Sequence, residues 1–88
     1  MEQHRLGIVG IVVEDIKVST RINDILHQHA ELIVGRLGIP YRSRGVAIIG
    51  LAVDGNMDTI SAMTGKLGKI PGVTVKSAIT RLEKKDNV

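Results

Sequence analysis

Two stretches of this chain, residues 6–13 and 46–53, are apolar on both faces of a strand. Leu6, Ile8 and Val12 would point one way and Val9, Ile11 and Val13 the other, while Ile48 and Ala52 oppose Ala47, Ile49, Leu51 and Val53. A small antiparallel sheet usually packs one face and wets the other, so its strands alternate apolar with polar. These two strands need cover on both sides, yet only two further segments have the length and pattern of helices. A second copy of the chain is the simplest remaining cover. The expectation is therefore a homo-oligomer, a dimer or a tetramer, joined through the face of its sheet.

The 88 residues read as a single domain, 1–88, with residues 81–88 a flexible basic tail around Arg81, Lys84 and Lys85. A domain this short buries a modest share of its surface, so association would also help its stability. The chain has no cysteine, which excludes disulfides, thiolate metal sites and thiol nucleophiles and fits a reducing compartment. The first residues precede only a short strand-like run, and no apolar stretch approaches the ~18 residues of a membrane span. A cytoplasmic protein without a membrane partner is expected. The net charge of +3, with one Tyr and neither Phe nor Trp, gives no basic docking face and no stacking platform, so direct nucleic-acid binding is not expected.

After the first strand, Val18, Ile22, Ile25, Leu26 and His29 recur at helical spacing opposite Lys17, Arg21, Asp24 and Gln28, with Asp15 placed to cap that helix. Residues 32–39 read as a strand whose pairing Pro40 ends, and residues 41–45 as a turn before the second buried strand. Asp54-Gly55-Asn56 signals a turn and cap. Met57, Ile60, Met63, Thr64, Leu67 and Ile70 form the stripe of a second helix, stopped by Pro71-Gly72. Residues 73–80 alternate as an edge strand should.

The chain also repeats itself. Ile8-Val9-Gly10-Ile11-Val12-Val13-Glu14 aligns with Ile48-Ile49-Gly50-Leu51-Ala52-Val53-Asp54 at a constant offset, 50 − 10 = 40. Two strand-helix-strand units with right-handed crossovers interleave into an α+β, ferredoxin-like βαββαβ sandwich, a four-stranded antiparallel sheet with two helices on one face. That plan puts the two doubly apolar strands in the centre.

Little in the sequence points to catalysis. His27 and His29 project about 200° apart on a helix, and zinc-type sites need three or four converging ligands. His29 fits a helix C-terminus, where an imidazole can bond a free carbonyl and favour the dipole. No metal and no cofactor are expected within one chain, and a site shared between subunits stays open. Glu14, Asp15 and Asp54 occupy matching points of the two halves and read as caps and turn formers. The glycines match no phosphate loop. Arg36, Arg42 and Arg44 flank a turn and read as a solvated rim, with an anion site as the alternative. Gly10 and Gly50 allow a close approach in the central strands. Ser61, Gly65 and Gly68 form a stripe of small residues suited either to packing within the monomer or to another surface.

The segments Val12-Val13-Glu14-Asp15, Ile25-Leu26-His27, Arg36-Leu37-Gly38-Ile39-Pro40 and Ala47-Ile48-Ile49 and, above all, the run from Thr64 through Pro71-Gly72 to Lys76 resemble the iron-only hydrogenase system regulators over nearly the whole chain. The resemblance implies an ACT-like domain related in fold to the C-terminal domain of nickel-responsive repressors, although the cysteine and strand-borne histidines of those repressors are absent. It implies a non-enzymatic, ligand-sensing regulator that binds a small-molecule effector or a protein partner at a subunit interface. Because ACT-like domains use the loop after the first strand near subunit interfaces, it also implies Glu14, Asp15 and Asn23 as ligand-binding residues. The alternatives are a structural assembly or protein-interaction subunit, or an enzyme with an acidic site from Glu14, Asp15 and Asp54 built across subunits.

Overall fold

The computed structural model describes residues 4–80, so the basic tail expected at 81–88 lies outside the described residues. The chain runs through β1 (Arg5–Val13), α1 (Ser19–Gln28), β2 (Ile33–Tyr41), β3 (Val46–Gly55), α2 (Met57–Gly68) and β4 (Val73–Ile79). The strands form one sheet in the order β2-β3-β1-β4, with every neighbouring pair antiparallel. This is the interleaved ferredoxin-like plan, with the two doubly apolar strands central. The repeat meets itself there, because Gly10 pairs with Gly50 at the middle of the β1–β3 ladder.

One face of the sheet makes the core. Val9, Ile11 and Val13 of β1 and Leu51 and Val53 of β3 are buried against Ile22 and Leu26 of α1 and Ile60, Met63 and Leu67 of α2. Burying each such aliphatic side chain contributes about 1.5–3 kcal/mol before the entropy of ordering is counted.

The caps follow from short polar side chains. Asp15 Oδ1 accepts from the Lys17 N–H at 2.9 Å and thereby caps a single 3₁₀ turn at Ile16–Val18, so α1 itself begins one residue later than its apolar stripe suggests. Asn56 Oδ1 accepts from the Thr59 N–H at 2.8 Å and caps α2, which leaves Asp54 and Gly55 free to extend β3. Gly72 turns with φ +79°, a backbone conformation that an L side chain resists. Its carbonyl accepts from the Glu14 N–H at 2.8 Å, tying the loop after β1 to the turn before β4.

Pro40 does not end the pairing of β2. It sits opposite Ala47, and the ladder continues to Tyr41 opposite Val46. On an edge strand alternate amides point to solvent, so a proline at such a position removes no ladder bond.

Candidate functional site

β2 is the least covered element. Every residue from Val34 to Tyr41 is exposed, on the helix side as well as the open side. Two surfaces of different character therefore meet along it.

On the helix side, α1 does not reach across β2, and a cleft of about 250 Å³ opens between them. Its floor is Val13, Ile22, Ala47 and Ile49, its β2 wall includes Gly38 and Pro40, and its rim carries Ser19, Asn23 and Arg36. Ser19 and Asn23 are one helical turn apart and share a face of α1. The Arg36 guanidinium donates through Nη2 to Asn23 Oδ1 at 3.4 Å, a long bond that crosses the rim. A neighbouring depression lined by Leu26, His27, Ala30 and Ile33 shares Asn23 and Arg36. Arg36 is thus no part of a solvated rim at the hairpin. It pairs across from the buried Leu51, so the parity of β2 turns it toward α1. An arginine at a helix-facing strand position was the available signal.

On the open side, Leu6, Ile8 and Val12 of β1, Ile48 of β3 and Leu37, Ile39 and Tyr41 of β2 are exposed together. Ile8 is 64% and Leu37 62% exposed, while Gly50, opposite both Leu37 and Gly10, leaves a hollow between them. A shallow trough of about 290 Å³ runs there, lined by Ile8, Gly35, Leu37, Gly50 and Ala52.

The expected ligand residues Glu14, Asp15 and Asn23 are not gathered in one place. Asn23 lines the cleft. Asp15 commits a carboxylate oxygen to its own turn, and Glu14 stands in the exposed loop held to Gly72. Asp54 pairs across from Leu6 at the other end of β1, near His4 Nδ1 at 3.5 Å. Eight residues of strand at ~3.3 Å separate that end from Glu14, about 26 Å, so one subunit alone does not assemble the acidic triad. Among the described residues, no three His, Asp or Glu side chains gather where they could hold a metal ion, and no helix is long and apolar enough to cross a membrane.

The stripe Ser61, Gly65 and Gly68 resolves toward the outside. A Cβ built at Gly65 or Gly68 meets nothing within 4 Å, so tight packing within the monomer does not require either glycine. They line an open groove of about 460 Å³ against Thr74 and Lys76 of β4.

His29, at the end of α1, departs from its expected role. Lys66 Nζ of α2 donates to Gln28 Oε1 at 3.3 Å and lies 3.4 Å from His29 Nε2. A lysine only donates, so this contact favours the neutral imidazole with Nε2 unprotonated. Partial burial and then the Lys66 charge hold the His29 pKa below its ordinary 6.5. The unfolded chain therefore takes up a proton that the folded chain resists, and stability is complete above 6.5 and declines as pH falls through it. The expected result is a lower urea midpoint at about pH 5.5 than at about pH 7.5, with a smaller difference in His29→Gln. Equal slopes in the two proteins would overturn the assignment.

A family model described as TM1266-like, proposed iron-only hydrogenase system regulators, matches residues 5–77. None of the curated proteins compared with the chain matches it. Among solved structures, the uncharacterized protein TM1266 from Thermotoga maritima is 42% identical, with a TM-score of 0.84 over 90% of this chain and 100% of its own. The ACT domain of GTP pyrophosphokinase from Chlorobium tepidum is 23% identical, with a TM-score of 0.69 over 94% of each chain. CPII, a nitrogen regulatory PII-like protein from Thiomonas intermedia K12, is 9% identical, with a TM-score of 0.57 over 92% of this chain and 95% of its own. The last two likenesses are of fold, and they make this an ACT-like, ferredoxin-like α+β domain.

Proposed function

From a chain that belongs to the TM1266-like family of proposed iron-only hydrogenase system regulators, we propose a cytoplasmic, non-enzymatic regulatory module, assembled as a homo-oligomer through its open sheet face and responsive to a small-molecule effector. The apolar open face carries this reading. Its protruding side chains, Ile8 and Leu37, stand beside the hollow at Gly10 and Gly50. A two-fold pairing of two such faces seats the knobs of one copy in the hollow of the other.

The size agrees. Four strands ~4.8 Å apart and seven paired residues at ~3.3 Å give a face of roughly 19 by 23 Å, about 440 Å² before side-chain relief is counted. Specific interfaces bury at least about 500 Å² per partner. Of the side chains expected to meet the effector, Asn23 lines the cleft between α1 and β2, and Arg36 joins it there.

Sedimentation equilibrium at micromolar concentration tests the assembly. The expected mass is at least twice the 9.5 kDa of one chain. A well-behaved single copy, with the apolar face bare to water, would sink the reading.

A further inference from the structure

We propose that the cleft between α1 and β2 binds a short aliphatic monocarboxylate, its carboxylate on Arg36 and its hydrocarbon on the floor of Ile22, Ala47 and Ile49. This names the class of effector for the regulator proposed above, and as a regulatory site it rests on that reading.

Arg36 is the cation on the rim, and its one described partner, Asn23 Oδ1, takes a single N–H at 3.4 Å. A guanidinium has five donors in a planar fork that fits a carboxylate in two parallel bonds, so most of its capacity stays open. Among the described residues, no carboxylate lies within ion-pair distance of Arg36, and none lines the cleft. An incoming acid therefore meets a cation with no resident competitor. An amino acid would bring an ammonium that no acidic group in the lining could pair, and a neutral amide or hydroxyl is a poor substitute.

Shape and floor narrow the class further. Val13 and Ile22 belong to the buried core, and Ala47 and Ile49 pack against it, so the bottom of the cleft is hydrocarbon. Inorganic phosphate is compact, binds where several amides and cations converge, and would leave that floor wet. The volume of about 250 Å³ equals some eight waters at ~30 Å³ each, room for an acid of five or six carbons. Gly38 keeps the space open. It pairs with Ile49 on the helix side, and a Cβ built on it meets nothing within 4 Å.

The same glycine supplies the test. A side chain at position 38 starts in open space on the helix side, so a leucine there would occupy the cleft. The ¹⁵N-labelled full chain is titrated by NMR with 4-methylpentanoate, L-leucine and inorganic phosphate in separate arms. Saturable shifts are expected at Ser19, Asn23, Arg36 and Gly38 with 4-methylpentanoate in the roughly millimolar range. Leucine and phosphate should bind at least about tenfold more weakly, and Arg36→Gln and Gly38→Leu should each weaken the acid about tenfold or more with a dispersed spectrum retained. Absence of saturable shifts in the folded wild type, leucine or phosphate binding as tightly as the acid, or undiminished binding in Gly38→Leu would each overturn the proposal. Sedimentation of the same samples keeps the two readings apart. An oligomer that ignores the acid sinks the cleft alone, and a monomer that binds it sinks the assembly alone.

Discussion

Leu37→Glu is expected to turn the assembly into single copies while leaving the fold of each intact. Leu37 projects from the edge strand β2 with most of its surface in water, so the isolated chain loses little core packing when it is replaced. In a face-to-face pair the same position lies against the partner sheet, and a two-fold axis brings in two carboxylates at once. Burying an unpaired charge at an interface costs about 3–5 kcal/mol, which raises the dissociation constant by roughly a hundredfold to a thousandfold or more. Sedimentation equilibrium reads the mass and circular dichroism the fold. Ala62→Glu, on the exposed surface of α2, is the control and should leave the mass unchanged. If Leu37→Glu kept the wild-type mass, the open face would not be the contact.

What could be read from the residues alone was whatever depends on local pattern. The double-sided grease of β1 and β3 announced central strands. The short polar side chains of Asp15 and Asn56 announced caps, and the 40-residue repeat announced the interleaved plan. What stayed hidden depended on register between segments far apart in the chain. Pro40 looked like a stop because sequence does not say which of its neighbours' amides face a partner strand, and only its place opposite Ala47 shows that nothing is lost. Arg36 looked like part of a basic rim because its helix-facing side is fixed by pairing with Leu51 and by the approach of Asn23, thirteen residues earlier. His29 looked like a favourable charge at a helix end. Burial first, and then Lys66 from the other helix, hold its pKa down, and no local pattern announces that meeting. The cleft is the sum of such facts, a glycine, a short helix and an edge strand, none informative by itself.

Gly7→Ala is expected to cost the fold about 2–3 kcal/mol, near the top of the range for forcing extra volume into a packed interior. Gly7 pairs with Val53 on one side and Ile79 on the other. A methyl placed on it would overlap Ile79 Cδ1 and sit 2.7 Å from the Ala78 carbonyl oxygen. The Ile79 methyl can swing aside. The carbonyl belongs to β4 backbone paired with β1, so relief requires the strands to part. Two other glycines calibrate the effect. At Gly55 the obstruction is the Leu32 Cδ2 methyl at 2.5 Å, the end of a side chain that can change rotamer, and Gly55→Ala should cost less. At Gly10 the nearest atom is the Lys76 carbonyl oxygen at 3.7 Å, an ordinary contact. There the reduced entropy of the unfolded chain favours alanine, and Gly10→Ala should be neutral or stabilising by up to about 1 kcal/mol within one chain. Urea unfolding of the three variants, each on the Leu37→Glu background so that only single copies are compared, should rank them Gly7, Gly55, Gly10 from most to least damaged. A Gly7→Ala protein as stable as Gly10→Ala would mean that β1 and β4 are not in the register described.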